Sequence, residues 1–311
     1  MKKKVSILIP CYNETSNIEP MCKSIVMIME KELATYDYEL VFIDNDSHDG
    51  TREKLRQICD KNKNIRAILN AKNFGQNNSP YYGMCQTTGD CTMVLSCDFQ
   101  DPPELIPIFI REWELGYKIV CGIKSTSKDN RIVRFFISIY YLMIKKMSQI
   151  DQIEHFTGFG LCDSSFIEIM RSLKDPTPFL RGVVAEFGYK RKDIQYEQAR
   201  RMSGKTHNNW YTLYDVAMLS FTSYTKIGLR IVTIAGGIFA VLSFFIALVY
   251  LILKIIYWDR YSAGTAPILI GMLLLGSIQI FIIGLIGEYI MNINTRVMNR
   301  PLVIEEERLN F

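Results

Sequence analysis

The 311-residue sequence predicts an α/β fold, a mainly parallel sheet with helices on its faces, followed by interfacial helices and a two-helix membrane hairpin. Three observations carry that expectation. Short apolar runs alternate with helical patterns through the N-terminal third, those runs end in polar and partly acidic loops, and the C-terminal third holds two long apolar stretches.

The apolar runs are VSILI (5–9), ELVFI (39–43), IRAIL (65–69) and TMVLS (92–96). Helical patterns lie between them, from Asn17 to Leu33 after Thr15 and Ser16, from Thr51 to Asn62 after Asp49-Gly50, and from Ser79 to Thr88. Alternation of this kind predicts parallel strands with crossover helices, and in such sheets ligands collect at the carboxyl ends of the strands. The four loops at those ends read PCYNE (10–14), DNDSHDGT (44–51), KNFGQNN (72–78) and CDFQD (97–101).

A net charge of +4, with no isolated basic run beyond Lys2 to Lys4, argues against a nucleic-acid partner. The eight cysteines form no C-x-x-C pair, and several sit within strand-like runs. They read as small buried hydrophobes in a reducing compartment. Pro10 ends the first apolar run too early for the core of a signal peptide.

Residues 231–253 are almost wholly apolar and at ~1.5 Å per residue span ~34 Å, enough for a ~30 Å hydrocarbon core. A second run, 266–291, contains Gln279 and Glu288, and the turn WDRYSAG joins the two. Basic residues on the domain side (Lys226, Arg230, Arg296, Arg300) outnumber those near the turn (Lys254, Arg260), which places the soluble part on the cytoplasmic face of the cell (inner) membrane as a multi-pass protein. The alternative is a pair of core helices in a soluble domain. Segments 131–149 and 210–227 mix aromatic, aliphatic and basic residues in the manner of helices lying in the headgroup region, with ordinary packed helices as the alternative. The expected organisation is an α/β domain over 1–209, an interfacial helix over 210–227, membrane helices within 228–294 and a cytoplasmic tail over 295–311.

At the end of the fourth run, Asp98 and Gln100 offer a carboxylate and an amide oxygen to one hard divalent cation, magnesium or manganese rather than zinc. Asp101, directly before Pro102 and Pro103, is better placed to cap the next helix. So few ligands imply that phosphate oxygens complete the cation's shell, hence a nucleoside diphosphate. Tyr12, Glu14, Asp44 and Asn45 are candidates for its base and ribose.

PCYNE, IDNDSHDGT, the Lys72–Gly75 turn, CDFQDPPELIP and RRMSGKT (200–206), in this order, resemble family-two inverting glycosyltransferases of the GT-A fold. With the two C-terminal apolar runs, the chain looks most like polyprenyl-phosphate glycosyltransferases, relatives of dolichyl-phosphate mannose synthase and bacterial undecaprenyl-phosphate sugar transferases. The resemblance implies that Pro10, Tyr12, Glu14, Ile43, Asp44 and Asn45 contact a nucleotide sugar, with UDP favoured, and that Asp98 and Gln100 hold Mg2+ or Mn2+ on its diphosphate. It implies Arg201 and Lys205 for the diphosphate, with Asp98 and Arg201 the catalytic pair. It implies Arg131, Arg134 and Ser138 for the phosphate of a polyprenyl acceptor, and a homo-oligomer, with a tetramer as the suggested form.

The sequence departs from the family pattern at three places. The paired acids after the second strand are Asp44-Asn45, the D-x-D is Ser96-Cys97-Asp98, and GDFRLMD is TGFGLCD (157–163), where Gly158 and Gly160 remove an acid and an arginine. No general base is therefore assigned. A phosphate acceptor is already largely ionised near neutral pH and can attack without one. Two rival readings are a processive polysaccharide synthase, against which Gln198-Ala199-Arg200-Arg201-Met202 lacks the tryptophan of Q-x-x-R-W, and a non-catalytic membrane scaffold.

Overall fold

In the computed structural model, the described residues are 2–125, 153, 155–173, 175, 178–199, single positions between 234 and 256, 265–298 and 300–311. The expectations placed on 131–149, 200–206 and 210–227 lie outside them.

Eight strands form one sheet: β1 (Lys4–Cys11), β2 (Asp37–Asp44), β3 (Ile65–Asn70), β4 (Cys91–Val94), β5 (Ile119–Lys124), β6 (Phe156–Asp163), β7 (Arg191–Tyr196) and β8 (Glu305–Leu309). Their order is β7-β5-β6-β4-β1-β2-β3-β8. The β3-β2-β1-β4 centre is parallel, as is β5 with β7, whereas β6 runs antiparallel to β4 and β5, and β8 antiparallel to β3. The helices of the domain are α1 (Ile18–Lys31), α2 (Thr51–Lys61), α3 (Gly75–Gln86), α4 (Ile106–Glu114), α5 (Ser164–Leu173) and α6 (Leu180–Glu186).

Alternate β1 side chains enter two cores, because successive residues of a strand face opposite sides. Val5, Ile7 and Ile9 pack with α1, α2 and α4, while Leu8 packs with α3, α5 and α6. The sheet is thus buried on both faces, which explains why its strands are continuous apolar runs. Seven of the eight cysteines are buried and all are free, as expected for small hydrophobes.

Two helix starts differ from expectation. α3 begins at Gly75 rather than Ser79, where side chains meet its first amides: Asn45 Oδ1, from the β2 loop, accepts from Phe74 N (2.9 Å), and the neighbouring Asn73 Oδ1 accepts from Gly75 N (2.9 Å). Asp101 does not cap the next helix. A 3-10 turn, Pro103–Leu105, intervenes before α4, and the Asp101 carboxylate turns inward.

The C-terminal region contains α7 (Thr265–Met298), whose Ile278–Met298 portion is long and apolar enough to cross a membrane. The described positions between 234 and 256 are helical. The expected tail is not a loose extension. Its residues 305–309 form β8, which pairs Ala67 with Leu309 and Leu69 with Glu307 on the edge of the sheet.

Candidate active site

In a β3-β2-β1-β4 arrangement, the chain leaves β1 and β4 for neighbours on opposite sides, and the loops beyond their carboxyl ends part to leave a crevice. The loops after β1, β2 and β4 stand at this end of the sheet, and hydrogen bonds between those after β1 and β2 set their shape. Asn45 N donates to Cys11 O (3.0 Å), Asn13 N to Ser47 Oγ (2.8 Å), His48 N to Asn13 Oδ1 (2.9 Å) and Glu14 N to Thr51 Oγ1 (3.0 Å). Asp49 completes the lacing by accepting from Thr15 N and from Thr51 N and Oγ1. Burial alone would raise the Asp49 carboxyl, but these hydrogen bonds bring it below the usual range.

Tyr12 and Glu14 stand on the β1 loop, half-buried, and Pro10 lies at the end of β1. Ile43 is fully buried among the α3-side core residues, so any contact it makes with a ligand passes through its backbone. Asp44 is also fully buried, with Oδ2 accepting from Ser47 N (3.1 Å) and from Arg52 Nε (2.8 Å). Its Oδ1 is buried with no hydrogen-bond partner among the described residues. The Asn45 amide is drawn to the β3–α3 loop, donating to Asn73 Oδ1 (2.8 Å) and accepting from Asn70 Nδ2 (3.2 Å) and Phe74 N. An amide can donate and accept at once, a bridge that a second aspartate here could not make.

After β4 the chain turns sharply at Phe99, whose φ is +60°. Asp98, 5% exposed, accepts through Oδ1 from Gln100 N (3.1 Å), a turn that sets residues 98 and 100 side by side. Both are hard oxygen donors, which suits Mg2+ or Mn2+ held chiefly by a ligand's phosphates. Among the described residues no group of three or more His, Cys, Asp or Glu could hold a metal by itself.

Asp101 is a site residue that the sequence did not reveal. Its Oδ2 accepts from Ser96 N (3.2 Å) and from Ser96 Oγ, and its Oδ1 from Tyr196 Oη (2.8 Å). Burial pushes this carboxyl up, against the pull of those donors. Ser96, at the position of the first acid of a D-x-D, thus serves as an anchor of the loop. Arg52 is a second unforeseen residue, and no local pattern marks either one, because Tyr196 of β7 and the Arg52 partners on β2, β3 and β8 lie on other elements.

Gly158 has φ +103°, and a Cβ on Gly160 would lie 2.8 Å from Val120 O of β5. The two glycines are therefore built into the β5–β6 pairing. Arg201, Lys205, Arg131, Arg134 and Ser138 lie outside the described residues.

Fold and crevice define an α/β domain with a mainly parallel sheet and a loop-lined crevice at its switch point. A model of glycosyl transferase family 2 matches residues 6–175, more than half of the chain, and the chain belongs to that family and is a glycosyltransferase. Relatives match over nearly the whole length. The "Prophage bactoprenol glucosyl transferase homolog" of Escherichia coli K12 is 29% identical over 302 residues, covering 97% of this chain and 98% of its own. The "Bactoprenol glucosyl transferase" of Shigella phage SfX is 28% identical over 306 residues, covering 98% and 99%. The mannosyltransferase PcManGT from Pyrobaculum calidifontis, solved with GDP-Man and Mn2+, is 12% identical, covers 96% of this chain and 88% of that chain, and has a TM-score of 0.50. That likeness concerns the fold, which is GT-A-like with a mainly parallel sheet.

Proposed function

We propose that this protein transfers a single hexose, glucose from UDP-glucose as the first candidate, to a polyprenyl phosphate of the bactoprenol type at the cytoplasmic face of a membrane. The observation that carries the reading is the match to bactoprenol glucosyl transferases, which covers 97–98% of the chain and so extends well beyond the sheet domain.

In this reading Tyr12, Glu14 and the backbone about Asp44 and Asn45 receive the nucleotide, and Asp98 and Gln100 would hold a divalent cation on the diphosphate. When bound, that cation offsets the charge developing on the departing diphosphate. The backbone N–H of Gln100 holds the Asp98 carboxylate in its orientation. Arg201 and Lys205 supply further positive charge to the leaving group, and Arg131, Arg134 and Ser138 receive the acceptor phosphate. An ionised acceptor needs orientation more than a base, in keeping with Gly158 and Gly160. Attack opposite the diphosphate inverts the anomeric carbon.

The proposed anchor is a hairpin of helices over 231–253 and 266–291. The return of β8 supports it. Residues 299–304 can span at most ~22 Å at ~3.6 Å per residue, so the end of α7 lies on the same side as the sheet that β8 joins. A chain that leaves the domain and returns to its side crosses an even number of times.

The test incubates the purified full chain with polyprenyl phosphate, Mg2+ or Mn2+ and a panel of UDP and GDP sugars, then weighs the extracted lipid. One hexose per lipid is expected, with Asp98→Ala slower by about 10³-fold, the scale of losing one electrostatic contact to the leaving group. A polymer, or equal product from Asp98→Ala, would sink the proposal.

A further inference from the structure

We infer that Asp101 and Tyr196 form a positioning pair that sets the geometry of the Asp98–Gln100 loop, and that cation binding there depends on this pair. The inference rests on the donor-site reading above and adds to it two residues that contact neither donor nor cation.

Asp101 immediately follows the loop, and its carboxylate faces inward. One oxygen fixes the loop's start, through Ser96 N and Oγ. The other accepts from Tyr196 Oη at 2.8 Å, on the last residue of β7. The loop is held from both ends by a single side chain, and that side chain is held by a strand 95 positions away.

Tyr196 is in turn fixed on several sides. Its Oη lies 3.2 Å from Thr157 Oγ1 of β6, and its ring packs edge-on to Phe159 at 5.0 Å between centroids. Its carbonyl accepts from Ser125 N (2.9 Å) and Ser125 Oγ (3.0 Å). Three residues on, Ala199 N donates to Gln100 O (3.3 Å), so the chain beyond β7 touches the same loop again. The network joins the ends of β4, β5, β6 and β7 at the point where two oxygen donors must be held side by side. A loop with only two such donors gains little from the protein in coordination number, so the spacing of those donors carries more of the affinity.

Tyr196→Phe removes one oxygen and keeps the ring packing; Asp101→Asn keeps the shape but loses an acceptor. The experiment is calorimetric titration of the full-length protein in detergent with Mn2+ in the presence of UDP, beside thermal unfolding of each variant. Both variants are expected to weaken Mn2+ binding about tenfold. Ser96→Ala, which removes only one donor to the same carboxylate, is expected to shift it in the same direction by a smaller factor, and serves if either of the others does not fold. Glu39→Gln is the structural control. Glu39, 1% exposed, binds Lys4, Arg66, Ser6 and Thr88, and it lies near the start of β2, at the opposite end of the sheet, so its loss lowers the melting temperature with Mn2+ binding unchanged. Unchanged Mn2+ affinity in folded Tyr196→Phe and Asp101→Asn overturns the inference while leaving the donor site intact. A wild type that binds neither UDP nor Mn2+ overturns the donor reading and this inference with it.

Discussion

Arg52 ties the loop after β2 to the C-terminal strand, and its replacement separates the two contributions. The side chain is 13% exposed and donates through Nε to Asp44 Oδ2 (2.8 Å), through Nη1 to Glu306 Oε2 (2.6 Å) and through Nη2 to Asn70 O, with Asp46 Oδ1 at 3.3 Å. Asp44 is fully buried and has one oxygen without a partner among the described residues, so Arg52→Ala leaves a buried carboxylate without its countercharge. Breaking such a pair costs about 3–5 kcal/mol. Glu306 is 56% exposed, and its loss costs at most about 1 kcal/mol. Arg52→Ala is therefore expected to lower the melting temperature by roughly 10 °C and Glu306→Ala by roughly 3 °C, taking about 2–4 °C per kcal/mol for a chain of this size. Tryptophan fluorescence during heating of the detergent-solubilised protein measures both. Donor KM should rise in Arg52→Ala and stay level in Glu306→Ala, since only the former frees the Asp44 loop. Equal losses in the two variants, or a harmless Arg52→Ala, would refute the reasoning.

Three further predictions concern β6. Burial works to raise the Asp163 carboxyl, but hydrogen bonds from Ser165, Trp113 Nε1 (2.7 Å) and Lys118 Nζ (2.9 Å) bring it down to about 2. Its folded value lies below its unfolded one, so its stabilisation is present above the unfolded pKa of about 4 and is lost as pH falls toward 2. Discounted for solvent at the half-exposed Lys118, the contribution is about 1–2 kcal/mol. Asp163→Asn should show a shallower loss of stability between about pH 4 and pH 2 in acid unfolding curves; an unchanged slope there would contradict it. At Gly160, alanine forces its Cβ against Val120 O and should cost about 1–3 kcal/mol. Restoring the family's acid and arginine at 158 and 160 should likewise lower the denaturant midpoint without raising turnover, and a faster, equally stable variant would show the glycines to be incidental.

Much of the fold was legible in sequence because its signals are local. The four apolar runs became β1 to β4 within a few residues, since strands buried on both faces need no polar alternation. The polar loops at their ends fell where a parallel sheet collects ligands, and Asp98 with Gln100 stood at the end of β4 as expected. The motif order carried the family, and the long apolar run became α7. Each of these properties is written in consecutive residues.

Only the tertiary structure decided which side chains hold that site together. Asp101 looked like a helix cap because two prolines follow it, yet its partner Tyr196 is 95 residues away. Asn45 stood in the sequence as a candidate for base or ribose, and only the structure shows that its amide also bridges to the β3–α3 loop. The tail 295–311 carried no strand signal that outweighed its charges. EEERL pairs with β3 because Arg52 and Arg56 stand opposite Glu306 and Glu307, a complementarity across about 250 positions. Periodicity and caps are properties of neighbours in the chain, whereas the partner of a buried carboxylate is fixed only when distant strands come side by side.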